Sequence, residues 1–470
     1  MITSSEKVTI AEIVPVIQGK VISGNPEMVI SSFSTDTRTL KKGDFFIPLK
    51  GEKYDGHRFI TQAITGGALG TLVSEEYILA NKNEKDSFLK DSFTVVEVKD
   101  TLDTLQKLAL YYRKKFKPFV IAITGSNGKT TTKELLGSIL RKFAPTLVNY
   151  ANWNNQIGLS LTLLQLVPVY RYCVLEMGTN HPGEIAQLSR IAQPEMVIFT
   201  NIGKAHLEFL KTTQDVFKEK MSVLDYLPGD GEIIYNADDL LLGNLPSGFR
   251  KTGFGIDRKT DFQASGVREE NGKNLFFLHF AERKIPVSLP ILGRFNVYNA
   301  LAAIAAASRK GVNLELIIPA LENFTPLPGR MNIIRLSPGT VLVNDCYNAN
   351  PDSMRAAINW FLAAYPEEEK ILVLGDMLEL GKKSKEEHFA LGEMIASLPV
   401  KKVLLFGKEI QFLAEALKRN TQIETIIFAD KNQLAEEIKK ILKPKGAILF
   451  KASRAMQLEE VVRQLLTDDR

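Results

Sequence analysis

The stretch Thr124-Gly125-Ser126-Asn127-Gly128-Lys129-Thr130-Thr131 concentrates groups that can handle phosphate, and it directly follows the apolar run Phe119 to Ile123. Two glycines and the opening turn of a helix leave backbone N–H groups free to point at one spot, which is what a phosphate cradle requires. Lys129 supplies a positive charge there, and the Thr130 hydroxyl is a ligand for Mg²⁺. Leu135, Leu136, Ile139, Leu140 and Phe143 share one face at helical spacing, so a helix is expected after the turn. The usual phosphate loop has four residues between its glycines, which would put the first at Ile123, whereas here it is Gly125. A glycine turn that binds nothing is the plain alternative, and the order strand, turn, helix favours the cradle.

A carboxylate and an imidazole belong with it. Glu176 closes the strand-like Tyr172 to Leu175, and His206 follows the strand-like Met196 to Thr200. In a parallel sheet, functional groups gather where strands end. Each alone reads as a strand-end charge or a helix-cap histidine; beside a phosphate loop the pair makes a Mg²⁺ site, although Mg²⁺ prefers oxygen and keeps waters. Tyr150 to Gly158 is dense in amides, among them Asn152, Asn154 and Asn155, which suit substrate binding or simply cap the next helix. Thr35, Asp36, Thr37 and Arg38 could hold a sugar nucleotide, or form a solvated turn.

Several elements must position these groups. A chain of 470 residues suggests about three domains. The expected boundaries are 1–112, a small α/β domain; 113–325, a mostly parallel sheet with helices on both faces and a β-meander from Asp261 to Leu289; and 326–470, a second doubly wound domain after the break Thr325 to Arg330. The fold class is therefore α/β. A 45% hydrophobic and 24% charged composition is that of a globular protein. The net charge of +5 has no basic tract to argue for nucleic acid. Cys173 and Cys346, far apart in apolar stretches, read as buried thiols in a reducing compartment. Met1 to Val14 is broken by Glu6, Lys7 and Glu12, unlike a signal peptide, and no stretch approaches the ~20 apolar residues of a spanning helix. A cytoplasmic location is expected.

Taken together, these residues resemble the Mur ligase family over essentially the whole chain. Thr124 to Thr130 is similar to the family's own phosphate loop, which accounts for the displaced glycine. The resemblance implies an ATP site of Gly125, Ser126, Asn127, Gly128, Lys129, Thr130, Thr131, Asn299, Arg330 and Asp345. It implies Mg²⁺ held by Thr130, Glu176, His206 and Lys220, the last as a CO₂-derived carbamate, with Lys129, Glu176, His206 and Lys220 as the catalytic set. Glu176 to Asn180, Asn348 to Ser353 and Leu374 to Gly381 are similar to signatures of the member acting on a UDP-N-acetylmuramoyl-tripeptide and D-alanyl-D-alanine, with Asn348 and Asn350 facing the dipeptide. The implied activity is an ADP- and phosphate-forming amide ligase through an acyl phosphate, working as a monomer in peptidoglycan precursor synthesis. The rivals are another ligase of the same superfamily, such as one extending folate with glutamate, a phosphate-loop switch or transport ATPase without ligation, and a non-enzymatic nucleotide-binding subunit. Two departures are Lys451-Ala452-Ser453-Arg454 for the family's Lys-Gly-Ser-Arg, and Lys220-Met221-Ser222 for its Lys-Gly-Glu.

Overall fold

The computed structural model describes residues 8–81, 88–89, 92–337, 339–419 and 422–468. Residues 1–7, with Glu6 and Lys7 of the amino-terminal stretch, lie outside the described residues.

The phosphate-loop strand Phe119–Thr124 lies inside a nine-stranded sheet. From one edge the order is Arg283–Leu289, Lys273–Phe280, Phe262–Glu270, Arg250–Gly255, Glu232–Asn236, Met196–Phe199, Phe119–Thr124, Tyr172–Glu176 and Thr146–Val148. The seven strands from Phe262–Glu270 onward run parallel, and the meander closes the sheet antiparallel. Val120, Ile121, Ala122 and Ile123 are wholly buried, because a strand covered on both faces needs apolar side chains at every position. Ile121 and Ile123 join a core with Leu135, Leu136, Ile139 and Leu140 on one face. Val120 and Ala122 join Leu159, Leu163, Ile185 and Leu188 on the other, as the two-residue period of a strand dictates. Each buried Val, Ile or Leu among them contributes roughly 1.5–3 kcal/mol. The alanine-rich helix Arg294–Arg309 packs into the first core, its small side chains allowing close approach to the sheet. No helix among the described residues is long and apolar enough to cross a membrane.

Two further sheets flank this one. The first has five strands in the order Lys20–Ser23, Thr94–Val98, Gly70–Ser74, Asp44–Phe46, Ser32–Ser34. Helix Thr101–Phe116 leads out of it, placing Leu105, Leu108 and Tyr112 in the core of the five-stranded sheet and Ala109 in the central sheet's core with Val120 and Ala122. The boundary expected between residues 112 and 113 falls within this shared helix. The last sheet has six strands, Asn332–Leu336, Thr340–Asn344, Gly446–Lys451, Glu369–Gly375, Lys402–Phe406 and Glu424–Phe428, all parallel except the first. Leu372 and Leu374 face one core and Ile371 and Val373 the other, so helices cover both faces. The fold is α/β, with three large sheets and a small antiparallel pairing of Val8–Thr9 with Val29–Ile30 among the described residues. Leu207, Leu210 and Val216 of the middle region are buried in the last domain's core, which seats the two against each other. Both cysteines are free and buried, and burial pushes the Cys173 thiol up to about 12.

Candidate active site

Local geometry forces the phosphate loop into shape. Gly125 has φ +150, and a Cβ there would lie 1.9 Å from Thr200 Oγ1; Gly128 has φ +82, and its Cβ would lie 2.2 Å from Asn299 Oδ1. Neither position accommodates a side chain. Ser126 N donates to Asn201 O at 2.9 Å, Asn127 N to Asn201 Oδ1 at 2.9 Å, and Thr200 Oγ1 to Asn127 O at 2.6 Å. The loop is thus tied to the end of the neighbouring strand and is preformed. Lys129 Nζ folds back onto Gly125 O at 2.8 Å and Ser126 O at 3.2 Å, a position from which it can reach a phosphate. Burial lowers its pKa, opposed by Glu176.

Parallel pairing of Glu176 with Ile123 brings the carboxylate beside the loop. Asn154 Nδ2 donates to Glu176 Oε1 at 2.9 Å, while Glu176 Oε2 is buried with no hydrogen-bond partner. A buried carboxylate oxygen without a partner is costly, and a cation would satisfy it. His206 has φ +54, and its Nδ1 meets Glu379 Oε2 of the last domain at 2.6 Å, which leaves Nε2 available to a metal. Burial pushes the His206 pKa down and Glu379 opposes this; the hydrogen bond from His206 holds the Glu379 carboxyl below its usual range. Among the described residues no three His, Cys, Asp or Glu side chains converge into a metal cage. One hydroxyl, one carboxylate and one imidazole beside a phosphate cradle still fit Mg²⁺, which takes few protein ligands and completes its shell with phosphate and water. Lys220, on helix Thr213–Met221, is 1% exposed, and burial, reinforced by the charge of Lys129, pushes its pKa well down.

The last domain closes the site. Arg330 Nη2 donates to Thr130 Oγ1 at 2.8 Å and its guanidinium lies 3.9 Å from the Tyr347 ring centroid. Asp345 pairs with Lys451 at 2.5 Å, and Lys451 also donates to Asn348 O at 3.0 Å. Asn350 caps helix Pro351–Ala364 through Ser353 N at 2.8 Å, while its Nδ2 reaches across to Asn127 Oδ1 at 2.9 Å. Between the two domains lies a cavity of about 860 Å³. Ser126 to Thr131, Asn152, Asn154, Asn155, Glu176, His206, Asn299, Arg330, Asp345, Asn348 and Asn350 line it. Gly125 and Lys220 are not among its walls, and Asn155 also caps helix Gln156–Leu163 through Ile157 N and Gly158 N. Thr35, Asp36, Thr37 and Arg38 are not brought to this cavity. There Arg38 forks onto Asp36 and Thr37 bonds Gln62 at the surface of the first domain.

Three family models match the chain: "Mur ligase family, catalytic domain" over residues 29–113, "Mur ligase middle domain" over 123–307, and "Mur ligase, glutamate ligase domain" over 329–454. A UDP-N-acetylmuramoyl-tripeptide–D-alanyl-D-alanine ligase of Bacillus subtilis is 36% identical over 462 residues, 98% of each chain. The chain belongs to the Mur ligase family. Among solved structures, this Mur ligase is similar to MurF from Acinetobacter baumannii, with TM-score 0.88 and 32% identity over 98% of this chain and 99% of that one. It is similar also to the MurF ligase of Thermotoga maritima in complex with ADP, with TM-score 0.80 and 28% identity over 93% and 97% of the two chains.

Glu379, Tyr347 and Lys451 are cavity residues to which the sequence assigned no role. Glu379 and Lys451 lie inside motifs already singled out, Leu374 to Gly381 and Lys451 to Arg454, and an acid or base left without a role within a family motif is the signal that could have found them.

Proposed function

We propose that this Mur ligase joins the amine of D-alanyl-D-alanine to the terminal carboxylate of a UDP-N-acetylmuramoyl-tripeptide, converting ATP to ADP and phosphate, in peptidoglycan precursor synthesis. One observation carries the reading: the phosphate loop, the orphaned Glu176 oxygen and the asparagine-bearing edge of the last domain line a single cavity. A nucleotide and an incoming amine bound there would face each other.

In this reading the tripeptide carboxylate attacks the γ-phosphorus of ATP, the bond to the β,γ-bridging oxygen breaks, and ADP leaves. The amine then attacks the acyl phosphate carbon; the C–O bond to phosphate breaks and the amine gives up a proton. Lys129 and Arg330 offset negative charge spreading over the transferred phosphoryl group, from positions fixed before substrate arrives. Asn299, packed under Gly128, and Asp345, held by Lys451, frame the nucleotide. Thr130, Glu176 and His206 would hold Mg²⁺, which supplies charge neutralisation at the phosphates. Lys220 would join them as a carbamate, because its lowered pKa favours the neutral amine, whose nitrogen would bond the carbon of CO₂ and release a proton to solvent. Asn152, Asn154 and Asn155 face the UDP-linked substrate, and Asn348 and Asn350 the dipeptide. Contacts between the domains exclude water from the acyl phosphate.

Residues 1–112, including Thr35 to Arg38, take the UDP end, 113–325 the ATP, and 326–470 the dipeptide. The same reading makes the chain a cytoplasmic enzyme that works as a single copy, since one chain supplies all three sites. Phosphate release from ATP, measured with each substrate omitted in turn and followed by mass spectrometry, tests it. Release and an amide product are expected only with both substrates present; release that ignores them would make the chain an ATPase and end the reading.

A further inference from the structure

A second lysine of the phosphate-loop helix, Lys133, does not line the cavity. Lys133 is wholly buried on helix Lys129–Phe143, and its Nζ donates to Asn149 O at 2.8 Å and to Ala151 O at 2.9 Å, with Glu134 Oε1 at 3.1 Å. Two of the three ammonium protons are taken by the carbonyls, and the Glu134 carboxylate offsets the charge as an ion-pair partner. Both carbonyls belong to the loop that bears Asn152, Asn154 and Asn155. Burying an ammonium is costly unless it is fully paired, and an apolar side chain would pack the same space without that cost. The charge therefore serves something other than packing.

The turn has backbone bonds of its own, from Trp153 N to Tyr150 O at 2.9 Å and from Asn154 N to Asn152 O at 2.7 Å, and Lys133 adds a tie at the carbonyls of Asn149 and Ala151. Ala151 has φ +44, a left-handed conformation that disfavours a residue with a Cβ, and its carbonyl is turned inward onto Lys133. Asn149, the other anchor, is itself buried and spans the site: its Oδ1 accepts from Glu176 N at 3.0 Å, and its Nδ2 donates to Glu176 O at 3.1 Å and Trp153 O at 2.8 Å. Lys133 Nζ also lies 4.0 Å from the unpartnered Glu176 Oε2. One ammonium thus ties the phosphate-loop helix to the amide loop and to the end of the strand bearing Glu176.

We infer that Lys133 is a positioning residue, which fixes the 149–155 loop in the shape that receives the UDP-linked substrate while touching no substrate itself. The inference rests on the ligase reading above, so its test includes a readout that does not need turnover. The chain has two tryptophans, Trp153 in this loop and Trp360, which bonds Glu269 away from it. In a Trp360→Phe background, acrylamide quenching reports the order of the loop alone. Lys133→Met is expected to raise quenching of Trp153 about twofold or more. It should also raise KM for the UDP-linked tripeptide about tenfold, with KM for ATP within about twofold. Adding Ala151→Gly, which removes the penalty on the left-handed turn, should recover roughly threefold of the lost KM. Lys133→Arg keeps the charge but not the geometry of the paired carbonyls; it should show the same split in milder form, and serves where the methionine variant does not fold.

Unchanged quenching in both variants overturns the inference, as does a loosened loop with unchanged KM or an equal rise in both KM values. If the Trp360→Phe parent forms no amide product, the ligase reading fails instead, and quenching still decides whether Lys133 holds the loop.

Discussion

Replacing Glu379 with alanine removes the carboxylate that orients His206 from across the domain boundary. The Nδ1 to Oε2 distance is 2.6 Å, and Glu379 O also accepts from Glu208 N at 2.9 Å, so side chain and backbone both tie the last domain to the histidine turn. A hydrogen bond to a charged group contributes about 1.5–3 kcal/mol. The Glu379 side chain is 42% exposed, so water replaces part of the loss and the lower figure, about 1.5 kcal/mol, applies. That corresponds to about tenfold in the affinity of His206 for a metal, within the ~10–100-fold range of such supporting carboxylates. The assay is ADP formation against Mg²⁺ concentration for the wild type, Glu379→Ala and Glu379→Gln. The alanine variant should need about tenfold more Mg²⁺ for half-maximal rate, and the glutamine variant, which keeps an acceptor without charge, about threefold. Superimposable Mg²⁺ curves for all three would refute the reasoning.

Other expectations follow from contacts already described. Lys129→Ala should lower kcat/KM by at least about a hundredfold, a loss of about 3 kcal/mol from the transition state, with an unchanged melting curve; steady-state kinetics beside calorimetry checks both. Asn348→Ala should raise KM for D-alanyl-D-alanine, whereas Asn350→Ala, which loses both a helix cap and its bond to Asn127, should cost about 1 kcal/mol of stability and raise KM for ATP as well. Equal kinetic effects of the two would mean that neither amide discriminates between substrates. His388 is buried, accepts from Met377 N at 3.0 Å, and has its pKa pushed below 6.5 by burial. On acidification the unfolded chain takes up that proton first. Stability is therefore full above the unfolded value and falls as pH drops toward the folded one, and His388→Gln should flatten the decline in Tm as the pH falls below about 6.5. Lys220→Arg, which cannot form the same carbamate, should lose most ligation, and CO₂-depleted buffer should reversibly weaken the wild type; a fully active arginine variant would send the search for the ligand elsewhere.

The central site was legible because its parts lie at strand ends, where a parallel sheet must gather them. Glu176 pairs in register with Ile123, the residue before the loop, and that placement needed only two strands recognised as neighbours. The strands that escaped notice are those with weak patterns. Thr146–Val148 is three residues long, Arg250–Gly255 contains two glycines, and Asn332–Leu336 alternates exposed and half-buried positions at a sheet edge directly after the Pro-Gly break. Long-range pairings were invisible for a different reason. Nothing local in Lys133 distinguishes a wholly buried ammonium from the solvated lysines around it, and buried lysines are rare. Asn350 read as a substrate amide, but its side chain is shared between a helix cap and Asn127, a residue more than two hundred positions earlier in the chain. Glu379 was visible as part of a motif, yet its partner is fixed only when two domains pack together.

In the proposed reaction this cavity activates a carboxylate as its acyl phosphate. The most direct measurement uses UDP-N-acetylmuramoyl-tripeptide labelled with ¹⁸O in the terminal carboxylate, together with ATP and D-alanyl-D-alanine. The predicted result is one ¹⁸O atom in each phosphate released, matched by loss of one from the amide product, with the transfer slowed at least about a hundredfold in Lys129→Ala. Amide product formed while the released phosphate carries no ¹⁸O would contradict it.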